Sequence, residues 1–171
     1  SNAVSISAGT GFSAAIKDDG TVWTWGNNDR GQLGRTDTST KTPGQVTGLS
    51  EISKIACGEN FIIALMDYDT IYSWGANTCG QLGDGTKADR ITPAAVISSY
   101  SDISADREHV LAISGGKLYA WGQNSVGQLG LNDKIDRTTP TLVSSINGNV
   151  NSIRTGYNHS IAILSDGSLY T

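Results

Sequence analysis

Apolar residues recur with a two-residue period in short runs along this chain, each run closed by turn-forming residues. The runs come in pairs: 12–16 with 22–25, 61–65 with 71–74, 109–113 with 118–121, and 159–163 with 169–171. β-Branched and aromatic residues fill about half of each run, with Ala or Ser between them, which predicts half-buried β-strands. Asp18, Asp19 and Gly20, then Ser114, Gly115 and Gly116, then Asp166 and Gly167 separate the members of three pairs and supply the positive-φ residue of a tight hairpin. The second pair has Asp67, Tyr68 and Asp69 there and departs from the pattern. No stretch carries a helical 3.6-residue period.

The second strand of each of the first three pairs runs into one motif, Trp-Gly-x-Asn-x-x-Gly-Gln-Leu-Gly, at 25–34, 74–83 and 121–130. The tryptophans are 74 − 25 = 49 and 121 − 74 = 47 residues apart, so a unit of just under fifty residues is repeated. Its constant residues are Trp25, Gly26, Gly31, Gln32, Leu33 and Gly34, then Trp74, Gly75, Gly80, Gln81, Leu82 and Gly83, then Trp121, Gly122, Gly127, Gln128, Leu129 and Gly130. Glycine at fixed offsets implies positive φ or close chain approach. The glutamine is expected to bond stray backbone groups, and the leucine to plug the core between units. A later Thr-Pro at Thr42, Pro43, Thr92, Pro93, Thr139 and Pro140 precedes another apolar stretch, where proline suits the first residue of an edge strand. Four short strands per unit at this length favour an all-β propeller over an α-solenoid or a β-helix.

The pattern Gly-x-x-His-Ser-x-Ala-Ile at 156–163, with the Trp-Gly to Gln-Leu-Gly block, resembles the repeat of the regulator of chromosome condensation family, over essentially all of 4–171. The resemblance implies a seven-bladed β-propeller of four-stranded blades, of which this chain supplies about three and a half. The fourth unit breaks off before its Trp-Gly would be due. A cut from a longer, bacterial-type member is therefore expected in preference to a natural half-ring, with self-association through open blade edges in either case. Ser1, Asn2 and Ala3 read as the scar of a cleaved tag. Phe12 and Phe61 replace the histidine kept at His109 and His159, and Asp106 replaces the glycine found at Gly9, Gly58 and Gly156. These are read as structural positions that tolerate drift.

Composition narrows the function. The formal net charge is −4 with twelve Lys and Arg, scattered rather than clustered, which argues against nucleic acid or an anionic membrane as partner. No apolar run reaches eighteen residues. Ser, Thr, Asn and Gly richness with few lysines leans toward a bacterial surface or secreted parent. Cys57 and Cys79 fit no zinc spacing and are read as free thiols. A 57–79 cross-strand bridge stays open, because pairing Leu65 with Ile71 extends in register to those two residues.

His109 and His159 tempt as acid–base groups, but no partner recurs with them, and a bond from the ring to a neighbouring blade's backbone is the expected role. The Asp-Gly segments, Asp84 and Gly85 among them, lack calcium-loop spacing and read as turns. Lys87, Asp89 and Arg90 match Lys134, Asp136 and Arg137, as ion pairs bracing loops. No catalytic, cofactor or metal residue is predicted. The turns that vary most between units are Thr10 and Gly11, Glu59 and Asn60, Arg107 and Glu108, and Tyr157 and Asn158. Variable loops on a constant frame are where partner binding is expected, with Glu59, Asn60, Arg107, Glu108, Tyr157 and Asn158 as the contact residues. The leading function is a non-enzymatic protein-interaction scaffold. The family resemblance adds guanine-nucleotide exchange on a small GTPase, or inhibition of a bacterial enzyme by capping, as alternatives. Light sensing, known for a plant member, fits less well, since the tryptophans other than Trp23 belong to the Trp-Gly motif.

Overall fold

Each apolar pair forms the two middle strands of a sheet. In the computed structural model, which describes residues 2–36, 40–67, 69–97 and 99–171, the first sheet runs β1 (Ala3–Gly9), β2 (Phe12–Lys17), β3 (Val22–Gly26), β4 (Gly44–Gln45). The second is β5 (Ile52–Cys57), β6 (Phe61–Met66), β7 (Ile71–Gly75), β8 (Arg90–Ile97), and the third β9 (Asp102–Asp106), β10 (His109–Ser114), β11 (Lys117–Gly122), β12 (Arg137–Leu142). The fourth has three strands, β13 (Val150–Gly156), β14 (His159–Leu164) and β15 (Leu169–Tyr170). All pairings are antiparallel and sequential, and no helix occurs among the described residues.

The sheets are propeller blades. Their first strands stand side by side, β1 by β5, β5 by β9 and β9 by β13, around one axis. The hairpin turns tie each blade to the next. Ile52 N donates to Gly20 O at 3.1 Å, Tyr100 N to Asp69 O at 3.1 Å and Val150 N to Gly116 O at 2.9 Å. In the second hairpin, part of whose turn (Tyr68) lies outside the described residues, Met66 N still donates to Thr70 O at 2.9 Å.

Three apolar clusters fill the three seams between blades. Leu33, Leu82 and Leu129 are each buried in one of them. The Trp-Gly motif works across a seam. Trp74 Nε1 donates to Gln32 O at 3.0 Å, and Trp121 Nε1 to Gln81 O at 3.0 Å, so each indole hangs on the preceding blade. The asparagine closes its own loop, Asn28, Asn77 and Asn124 Oδ1 accepting from Leu33, Leu82 and Leu129 N at 2.9 to 3.0 Å. The glutamine side chain accepts from the backbone two residues earlier, at Arg30, Cys79 and Val126. Gly34 and Gly83 hold φ of +68° and +73°, and a Cβ there would lie 2.6 and 2.8 Å from the next blade's indole nitrogen.

Three details refine the sequence reading. Pro93 and Pro140 lie inside edge strands β8 and β12, not at their first residue, where the register with β7 and β11 shifts and no ladder N–H is required. The 57–79 bridge is excluded. Leu65 does face Ile71, but that ladder ends at Phe61 and Gly75, and Cys57 belongs to β5, paired with Ile62, so both thiols are free. Burial raises the Cys57 thiol pKa to about 12 and that of Cys79 to about 11, the latter aided by Glu108. Third, His109 meets the next blade at the His159 backbone, as expected, and also at a side chain, its Nε2 lying 3.2 Å from Ser160 Oγ. His159 is exposed, and its ring covers Gly156 as Phe12 and Phe61 cover Gly9 and Gly58.

The outward faces of the first and fourth blades are apolar in part. Ile6 is 79% exposed, whereas its counterparts Ile55, Ile103 and Ile153, each against a preceding blade, are at most 6% exposed.

Candidate functional site

The four variable turns connect the innermost strand of each blade to the second, so the ring brings them to one end of the axis. Thr10 N donates to Glu59 O at 2.9 Å and Glu59 N to Arg107 O at 2.7 Å, which chains three turns into a row. Beneath them opens a cleft of about 570 Å³, lined by the ends of β1, β5 and β9 together with Thr10, Glu59, Arg107 and Tyr157.

Arg107 is the centre of this row. Its φ is +43°, a left-handed conformation unusual outside glycine, and Asp106 Oδ1 steadies it by accepting its N–H at 2.6 Å. Asp106 stands where the other blades have glycine. The guanidinium lies over the Tyr157 ring, 4.3 Å from the centroid, and Nη1 donates to Asn158 Oδ1 at 2.7 Å. Its Nε has no hydrogen-bond acceptor among the described residues, and Glu59 Oε2 stands 3.9 Å away. Tyr157 is 61% exposed. An arginine stacked on an open tyrosine is a preformed aromatic and cationic anchor, held by residues from three blades.

The six residues predicted for partner contact divide. Glu59, Arg107, Tyr157 and Asn158 meet at the axis. Asn60 turns into a seam, its Oδ1 accepting from Gln32 Nε2 at 3.4 Å. Glu108 turns into the next seam and accepts from Gln123 Nε2 at 3.1 Å, Thr78 Oγ1 at 3.4 Å and Cys79 Sγ at 3.5 Å. Asp106 was missed by sequence reasoning, although its place in the glycine slot is the signal that marks it.

The paired Lys and Arg segments brace loops and also cross seams. Arg90 Nη2 sits 2.7 Å from Asp84 and Arg137 Nη2 2.6 Å from Asp133 within their loops. Lys87 Nζ reaches Asp136 of the following blade at 3.6 Å, and Arg30 grips Asp89 with two bonds of 2.6 and 3.0 Å. The hydrogen bond from Arg30 lowers the Asp89 pKa. Among the described residues no group of three His, Cys, Asp or Glu is placed to hold a metal ion.

The family model of the RCC1-like domain matches residues 1–171. The chain belongs to the RCC1-like domain family. Its fold is similar to that of Prp20p from Saccharomyces cerevisiae, with a TM-score of 0.87 and 26% identity over 99% of this chain and 44% of that one. The same yeast protein in complex with Kap60 gives 0.87 and 26%, over 99% and 43%. Human WBSCR16 gives 0.85 at 22% identity, over 98% and 46%, a likeness of fold. This RCC1-like chain thus spans less than half the length of these structures. Comparison with curated proteins finds no match.

Proposed function

We propose that the chain is a non-enzymatic protein-interaction module that presents its axial turns to a protein partner. The observation that carries this reading is the Arg107–Tyr157 stack: a strained arginine and a 61% exposed tyrosine, braced by Asp106 and Asn158, at the mouth of a cleft. Arg and Tyr are the residue types that most often carry binding energy at interfaces, and strain in a non-glycine residue is commonly kept for function. Support from relatives is of the same kind, since Prp20p is described as binding Gsp1p and histones and is seen bound to Kap60.

The test is quantitative affinity capture from the source proteome with the wild type, an Arg107→Ala/Tyr157→Ala variant and a Lys134→Ala control on a different loop. Partners retained by the control and lost by the double variant, with unchanged melting, support the axial site; partners bound equally by all three refute it. The likeness to Prp20p also favours a second reading, nucleotide exchange on a small GTPase. Accelerated release of labelled GDP from a GTPase by this chain, lost in the same double variant, would establish it.

A further inference from the structure

Asn147 is followed by Gly148, and no other asparagine of the chain precedes a glycine. In such a pair the next backbone nitrogen reaches the side-chain amide with least hindrance, because glycine carries no Cβ. The pair lies in the loop between β12 and β13, the link from the third blade to the fourth, and both residues are exposed. Among the described residues neither the Asn147 side chain nor the Gly148 N–H is hydrogen-bonded. Gly148 holds φ of +138°, a conformation that residues with a side chain rarely adopt.

The comparable pairs are tied down by the fold. Asn77 and Asn124 are fully buried, and their amide nitrogens donate to Ala88 O at 3.0 Å and Asp133 O at 3.0 Å. Asn149 and Asn151 precede Val150 and Ser152 of β13, whose side chains crowd the attacking nitrogen. The three Asp-Gly pairs have their glycine nitrogens engaged. Gly20 N donates to Lys17 O at 2.9 Å, Gly85 N to Thr138 O at 2.8 Å and Gly167 N to Leu164 O at 3.0 Å. Their carboxylates are engaged too, each accepting from the backbone two residues on.

We propose that Asn147 is a self-modification site, at which the folded chain converts asparagine to isoaspartate and aspartate. Gly148 N attacks Cγ of Asn147, and the new C–N bond closes a five-membered succinimide. The side-chain nitrogen leaves as ammonia and carries off the proton lost from Gly148 N. Water then opens the ring. Cleavage of the new bond at Cγ gives aspartate, and cleavage of the original peptide bond gives isoaspartate, so one water is taken up for each ammonia released. Either product adds a negative charge, and isoaspartate also adds one carbon to the main chain. That carbon enters a loop pinned at both ends, by Val143 N to Leu118 O and Val150 N to Gly116 O, each at 2.9 Å. Ile146, between the pins, packs on the apolar cluster of the third seam. The modification therefore acts on the junction of two blades, independently of the axial turns.

The test incubates the intact chain at physiological temperature, at neutral and at mildly alkaline pH, and maps the tryptic peptide 138–154. That peptide carries Asn147, Asn149 and Asn151 together, and its fragmentation separates isoaspartate from aspartate. Asn147 should convert at least about ten-fold faster than the other two. Isoaspartate should be among the products, and the rate should rise at alkaline pH, because the attacking nitrogen must lose its proton. In urea, isomerisation at the Asp-Gly pairs should rise at least about five-fold as their glycine N–H bonds break. The Asn147 rate should change far less, since the fold neither hides nor ties that pair. Conversion at Asn147 no faster than at Asn149 and Asn151, aspartate without isoaspartate, or an Asn147 rate that urea raises as much as those of the Asp-Gly pairs overturns the proposal.

Discussion

The three motif tryptophans are identical in sequence and unequal in structure, and their replacement by phenylalanine should show it. Trp74 and Trp121 are fully buried, and each donates its only hydrogen bond to a glutamine carbonyl of the preceding blade. Trp121→Phe leaves the buried Gln81 carbonyl without its indole donor, at a cost of about 1 to 3 kcal/mol. It also removes two ring carbons from a packed seam, worth about 0.8 kcal/mol each before any cavity cost. The sum is about 2.6 to 4.6 kcal/mol, and in a chain of 171 residues each kcal/mol moves the melting temperature by about 2 to 4 °C, giving a drop of about 5 to 18 °C. Trp25 is only half-buried, on a face of the first blade that no other sheet of this chain covers, so Trp25→Phe should cost less than about 1 kcal/mol. Circular dichroism melts of Trp25→Phe, Trp74→Phe and Trp121→Phe in parallel decide the matter. Equal drops for all three would refute the claim that the indoles act as latches between blades.

Further outcomes follow from the same geometry. Burial holds the His109 pKa down at about 4 against 6.5, so the unfolded chain takes up a proton that the folded chain refuses. The stability this histidine allows is complete above about pH 6.5 and is lost as pH falls toward 4; between pH 7.5 and 5.0 the loss should be on the order of 2 kcal/mol. His109→Gln should flatten that part of a urea stability profile, and an unchanged slope would contradict the assignment. For the exposed pair Arg30 and Asp89, a double-mutant cycle should give a coupling of about 0.5 to 1 kcal/mol that shrinks in 1 M salt; a salt-independent value would rule out an ion pair. Gly34→Ala and Gly130→Ala share the positive-φ strain, but only at Gly34 does the new Cβ meet an indole, 2.6 Å from Nε1. Gly34→Ala should therefore melt lower, and the reverse order would place the clash wrongly.

The hairpins and the seam leucines were legible because their signals are local: a two-residue period fixes which side of a strand is apolar, and Asp-Gly or Gly-Gly fixes the turn. The Trp-Gly motif was legible as a repeat, but its action was not, since the bond from Trp74 to Gln32 joins residues forty-two positions apart. The proline reading failed because register shifts inside β8 and β12 remove the ladder bond that would have excluded proline there. The histidine meets the next blade as expected, at the His159 backbone, but its contact with Ser160 Oγ was not legible, because it forms only when two blades pack. In the candidate site, Glu59, Arg107 and Tyr157 occupy the same slot in successive units, and a ring puts equal slots at equal height around its axis. Asn60 and Glu108 lie one residue further, where the chain turns into β6 and β10 and the side chains swing to the seam. That alternation was available in the sequence and would have set Asn60 and Glu108 apart, but it would have misplaced Asn158, which shares their slot and yet bonds Arg107 at the axis. The left-handed φ of Arg107 was not, because only the substitution of Asp106 for glycine, seen with its hydrogen bond, accounts for it.

The most direct test of the axial reading is photo-crosslinking with benzoylphenylalanine placed at Tyr157 and, separately, at Val126, a 56% exposed residue beside the third seam. The account predicts that the Tyr157 probe captures a discrete protein partner, and that Arg107→Ala abolishes the capture while the Val126 probe does not yield that species. Capture of the same partner from Val126 and not from Tyr157, or capture at Tyr157 indifferent to Arg107→Ala, would contradict it.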